Sequence, residues 1–203
     1  MTPAARFALL VQAIAATRSL SSPDYISPNY DDVLREAAAH IDATGSVGKG
    51  DVAMLVFWKR IRVNKSWAVP LLSKAEAEVR ELTGRAVAAA RRSDIDVVEA
   101  AAKGRAALQV LPGFGHGPAL ASAILCAARP GDFAVYDRRA RKGLLAVDLP
   151  LPGNPPDYGR YTELVEQCRS EARGFGQNWS GHEVDLALYT LGRPNPATAT
   201  TDG

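Results

Sequence analysis

Residues Leu108–Lys142 read LQVLPGFGHGPALASAILCAARPGDFAVYDRRARK, and the order of events in this stretch decides the fold. A helix ends near Leu108, and Leu111-Pro112-Gly113-Phe114-Gly115 forms a sharp turn. Gly113 and Gly115 suit a turn that needs positive φ and leaves its amides uncovered. Pro118 belongs in the first turn of the next helix, where a missing N–H costs nothing. That second helix is rich in small residues and closes at Arg129-Pro130-Gly131. Phe133-Ala134-Val135-Tyr136 is a short extended apolar plug, and Asp137 caps a helix that opens with a basic run. Bare amides at a helix N-terminus form an anion site, so this turn is built to grip phosphate.

Outward from this stretch the pattern is helical in both directions. Pro3 to Arg18 is an amphipathic helix with Phe7, Leu10, Val11 and Ile14 on one face. A helix capped at Asn29 or Asp31 stops at Gly45, and Asp51 caps an apolar helix from Val52 to about Ile61. Ser73 caps a helix to about Arg92, and Ser93 starts the one that enters the turn. Beyond Val147, the segment 149–156 is too proline-rich for regular structure. Helices follow from Tyr158 to Arg173 and from the capping-box sequence Ser180-Gly181-His182-Glu183. There is no internal repeat and no heptad array. The expectation is an all-α chain of about eight helices in one or two lobes. Residues 1–192 form a single domain and 193–203 a disordered tail.

A chain of 203 residues is long enough to bury a core without staples. Its formal net charge is only +2, so any nucleic-acid footprint must be a local patch. Arg138, Arg139, Arg141 and Lys142 make one such patch; Lys59, Arg60, Arg62 and Lys65, beside Trp58 and Trp67, make another. Dipole complementation at a helix C-terminus accounts for the second cluster as well as phosphate contact does. Cys126 and Cys168 cannot by themselves make a thiolate metal site, and read as free buried thiols in a reducing compartment. Phe7 to Ala16 imitates a signal peptide, but Gln12 and Arg18 interrupt it. No segment reaches the ~20 apolar residues that span a membrane. The expected location is therefore cytoplasmic, nucleoid-associated if the chain binds DNA. Three scattered histidines without spaced carboxylates make a zinc-type site improbable. His40 and His182 read as surface and cap residues, and Glu183 and Asp185 as wet helix-face charge unless the last helix turns back toward the site.

The turn Leu111–Gly115 between two helices, spanning about 94–129, resembles the helix-hairpin-helix module, whose form is L-P-G-hydrophobic-G. The plug ending in Asp137 is similar to the segment that carries the catalytic aspartate in helix-hairpin-helix DNA glycosylases of base-excision repair. The resemblance covers about Ser93 to Lys142. It implies duplex DNA as partner, with backbone contacts from Gly113, Phe114, Gly115, His116 and Gly117. Hairpin carbonyls would hold a monovalent cation, and no other cofactor is implied. Asp137 would be the catalytic carboxylate, stabilising positive charge on the sugar or activating a water. Arg138, Arg139, Arg141 and Lys142 would hold phosphates around an extruded nucleotide. The three tryptophans read first as core; Trp67, in a polar and cationic segment, is the one that would stack on an extruded base. Tyr136, beside Asp137, is a second candidate for the pocket, although its place in the apolar plug reads first as packing.

Three departures narrow this. Bifunctional members carry a lysine nucleophile two positions after the hairpin's last glycine, where this chain has Gly117. The family's Asp-Thr-His/Asn is here Asp137-Arg138-Arg139, and the four-cysteine iron–sulfur loop is absent. The resemblance therefore implies a monofunctional enzyme, unless a lysine such as Lys142 or Lys65 is drawn from elsewhere. Two alternatives stand beside it: a non-catalytic helix-hairpin-helix DNA-binding protein in which Asp137 is only a cap, and a helical interaction protein whose hairpin is a plain turn.

Overall fold

The computed structural model describes residues 1–22 and 25–193; the tail expected to be disordered lies outside them except for Arg193. The chain is all-α, with ten helices among the described residues: α1 (Pro3–Arg18), α2 (Asp32–Thr44), α3 (Lys49–Trp58), α4 (Lys65–Ser73), α5 (Glu76–Ala90), α6 (Val97–Leu108), α7 (Pro118–Ala128), α8 (Arg138–Ala146), α9 (Tyr158–Gly174) and α10 (Gly181–Leu191). The helix beyond expectation is α4. Asn64 caps it by accepting from the Ser66 amide, and Ser73 is its last residue rather than the cap of the next helix. Pro70 inside α4 disguises it as loop. Asp51 is likewise not an N-cap: it sits in the first turn of α3, where its carboxylate accepts from the Gly48 amide at 2.8 Å and pairs with His40.

Helix α7 is the hub. Every residue from Leu120 to Ala128 is buried, and α2, α3, α5 and α6 all pack on it. Alanines and a serine on most faces let four neighbours approach, and Leu120, Ile124 and Leu125 fill the space between them. A second group is formed by α1, α8, α9 and α10, joined to the first chiefly where α6 meets α9. The chain thus begins in one group, builds the other with α2–α7, and returns through the plug. Phe133, Ala134, Val135 and Tyr136 are all buried, and the plug carries no strand pairing.

Two features hold Asp137 in place. The fully buried Ser122 of α7 accepts a 2.9 Å bond from the Tyr136 amide while its own hydroxyl donates to the Ala119 carbonyl. On the other side α8 packs backbone to backbone on α10: a Cβ at Gly143 would run into the Leu188 carbonyl, and one at Gly192 into the Arg139 carbonyl. Among the described residues no helix is long and apolar enough to cross a membrane.

Candidate nucleic-acid groove and cavity

The hairpin is only partly the bare turn expected. Gly113 has φ +93 and lies so close to Trp67 that a Cβ would sit 2.7 Å from the indole. Gly115 is not in the left-handed region. Phe114 is fully buried and its amide donates to the Leu111 carbonyl at 3.2 Å, so neither its side chain nor its N–H faces outward. The amides of Gly115, His116 and Gly117 meet no acceptor among the described residues, and they stand ahead of the positive end of α7. The amides left open to an anion are therefore those of Gly115 to Gly117 rather than those of the whole loop. As donors for a cation the hairpin offers backbone carbonyls and no carboxylate, a set that suits an alkali ion.

From the hairpin tip runs a groove of about 1250 Å³. Its walls bring together the two basic clusters that are far apart in the chain. Lys59, Arg60 and Arg62 follow the end of α3, and Arg138, Arg139, Arg141 and Lys142 line α8. Arg138, Arg139 and Lys142 are exposed. Arg141 is partly committed, its Nε donating to the Leu151 carbonyl at 3.1 Å and tying the proline-rich segment to α8. Arg139 is positioned by a 2.7 Å bond to the Tyr189 hydroxyl and stacks over that ring. His116 and Gly117 line the same groove. Lys65 lines neither the groove nor the cavity beside it.

Asp137 stands where this groove meets a cavity of about 440 Å³ between the two helix groups. One carboxylate oxygen accepts from the Arg139 amide at 2.7 Å, the cap expected; the other lies 3.7 Å from the Lys59 ammonium. Tyr30, Trp58 and Tyr189 line the cavity, and His182 and Asp185 come from α10. No known protein family, curated protein or solved structure matches this chain. The site therefore rests on its own geometry.

The cavity corrects several expectations. Trp67 is not in it: the indole packs on Gly113 and lines an apolar cleft between α3 and α4. Tyr136 is only 6% exposed and packs edge-on against Tyr161, so it acts as core with one face toward the groove. His182 is no surface residue. Its Nε2 bonds to Asp31 at 2.9 Å, and its Nδ1 is buried with no hydrogen-bond partner, 4.0 Å from Asp185. Burial opposes charge on this imidazole, but the bond to Asp31 and the charges of Asp31 and Asp185 outweigh it and push its pKa up. Asp185 is also buried rather than wet, because the last helix does turn back toward the site. Its Oδ1 accepts from the Tyr161 hydroxyl at 2.8 Å, and burial pushes its carboxyl up. Burial likewise pushes Tyr30 up to about 12.

Lys59, counted with a basic cluster in the sequence, is the residue whose place beside Asp137 was missed. Only 9% of its side chain is exposed. No spacing rule links the end of α3 to the start of α8, because their contact is made by tertiary packing. Cys126 and Cys168 are free and buried, and burial pushes both thiols up, Cys168 to about 12. They are inert packing groups.

Proposed function

We propose that this chain binds duplex DNA along the basic groove and acts as a DNA N-glycosylase, with Asp137 as the carboxylate that supports cleavage. One observation carries this: Asp137 sits at the junction of a cation-walled groove and an aromatic-lined cavity. A groove of arginines and lysines fits a phosphate backbone. A cavity lined by Tyr30, Trp58 and Tyr189 fits a planar base taken out of the stack. Between them a carboxylate meets C1′ of an extruded nucleotide, where positive charge develops as the N-glycosidic bond breaks. The free amides of Gly115 to Gly117 and the start of α7 hold a phosphate at the groove's edge. A monovalent cation held by the hairpin carbonyls would add to that grip.

The competing reading of Asp137 as a cap alone is favoured by its 2.7 Å bond to the Arg139 amide. A cap uses one oxygen, and the second faces Lys59. Duplexes carrying uracil, 8-oxoguanine, alkylated purines or mismatches, treated with alkali after incubation, separate the two. Release of a base by the native protein, reduced roughly a hundredfold or more in Asp137→Asn, supports catalysis. Salt-sensitive binding without release of any base leaves a DNA-binding protein with a capped helix.

A further inference from the structure

We infer that Lys59 is an amine nucleophile for the sugar aldehyde of an abasic site, giving the protein a strand-nicking activity that its hairpin cannot supply. The inference rests on the groove as a DNA track and takes the one opening the resemblance leaves, a lysine from outside the hairpin, since Gly117 occupies the hairpin position.

The placement of Lys59 is specific. It is the C-cap of α3, and the helix ends in a reversal in which the Ile61 amide donates to the Val56 carbonyl and Arg60 takes φ +51. A left-handed residue after the cap, with that bond, is a common way for a helix to stop, and here it fixes the direction in which the chain leaves α3. The reversal sends Arg60 to the rim of both cavity and groove while Lys59 points inward against the Trp58 ring, 5.6 Å from its centroid. Its ammonium then lies 3.7 Å from the Asp137 oxygen not used for capping. A sheltered amine with a carboxylate in reach to take its proton, at the mouth of a cation-walled groove, combines the nucleophile and the base that imine formation on a sugar uses.

The steps balance without a redox partner. Asp137 takes a proton from the Lys59 ammonium, and the freed nitrogen lone pair attacks C1′ of the open-chain aldehyde. The carbonyl pair moves to oxygen, which is protonated and leaves as water, forming a protonated imine. Asp137, its proton passed on to solvent, removes a C2′ proton. The electrons move through the enamine and expel the 3′ phosphate with the C3′–O bonding pair. Water then hydrolyses the imine, releasing an unsaturated aldehyde and restoring Lys59.

A duplex with one preformed abasic site, incubated with the full chain and borohydride, tests this without any need for base recognition. The expected result is a covalent protein–DNA adduct whose peptide map places the sugar on Lys59. Lys59→Ala and Lys59→Arg both reduce the adduct to background, although arginine keeps the ion pair with Asp137. A map that places the adduct on Lys142, Lys65 or the N-terminal amine overturns the assignment. So does trapping undiminished in both variants, or no adduct when anisotropy shows the native protein bound to the same duplex. Failure of the folded protein to bind the duplex at all removes the DNA reading together with the inference.

Discussion

The Ser122 hydroxyl makes two buried bonds at once, and one of them fixes the backbone immediately before Asp137. Ser122→Ala leaves the Tyr136 amide without an acceptor in a fully buried place, which costs about 1–3 kcal/mol by denaturant titration. An unchanged midpoint would mean that the plug finds another acceptor. The hairpin glycines differ from one another in the same local way. Gly113→Ala forces a Cβ into Trp67 at a left-handed φ and should cost about 1–3 kcal/mol. Gly117 is extended at φ 177 and a Cβ there meets nothing within 4 Å, so Gly117→Ala should leave stability unchanged or raise it by up to about 1 kcal/mol. Equal losses in the two variants would contradict this difference. At this scale the sequence shows residue types but not partners. Asp137 as a cap was legible from its place before a basic helix, whereas the buried state of Asp185 and His182 was not. A Glu-x-Asp pair at the start of a helix has the composition of a wet face, and Glu183 stays at the surface; packing against Tyr161 removes Asp185 from water, and packing against Asp31 removes His182.

At the scale of elements, Asp137 and Ser180 were legible as caps, and each accepts from an amide of the first turn it opens. Asp51, Ser73 and Ser93 have the same residue type without the role: the residues before α3, α5 and α6 are Gly48, Ala75 and Asp96, because several polar residues precede each helix and only the folded backbone selects one. Helix α4 escaped because an internal proline and a terminal serine imitate a loop followed by a cap. The close contact of α8 with α10 was also invisible, since glycines in a helix announce a close approach only when the partner is known. That contact sets where Asp137 stands relative to the α10 side of the cavity. Gly143→Ala drives a Cβ into the Leu188 carbonyl, backbone that cannot rotate away, so the two helices must separate. A loss of about 1–3 kcal/mol in stability is expected, measured by thermal unfolding. Base release, if the protein has it, should fall with no change at Asp137 itself. Native stability in Gly143→Ala would show that the helices slide at little cost.

Across the whole molecule, the two helix groups meet at a polar seam instead of a purely apolar one. The bond from His182 to Asp31 crosses it, as does the approach of Lys59 to Asp137. The all-α class was legible from composition and periodicity, but the seam was not, because it joins α2 and α3 to α8 and α10. Its charges make stability depend on pH, and the sign can be worked out. His182 has its pKa raised above the ordinary 6.5, so the native state holds a proton that the unfolded chain releases as pH rises through that value. Its contribution is full below about 6.5 and is lost as pH rises through the folded pKa. Asp185 is also raised, from an ordinary 3.8, so the native state again binds more protons and stability falls as pH climbs above that value. Both groups act in the same direction. The melting temperature should therefore decline as pH rises above about 4, where Asp185 contributes, and again above about 6.5, where His182 does. Asp185→Asn removes one of the two titrations and keeps a side-chain oxygen for the Tyr161 hydroxyl, so its decline in the lower of these two ranges should be shallower than that of the native protein. Melting curves that fall equally steeply in both would place the pH dependence outside the seam.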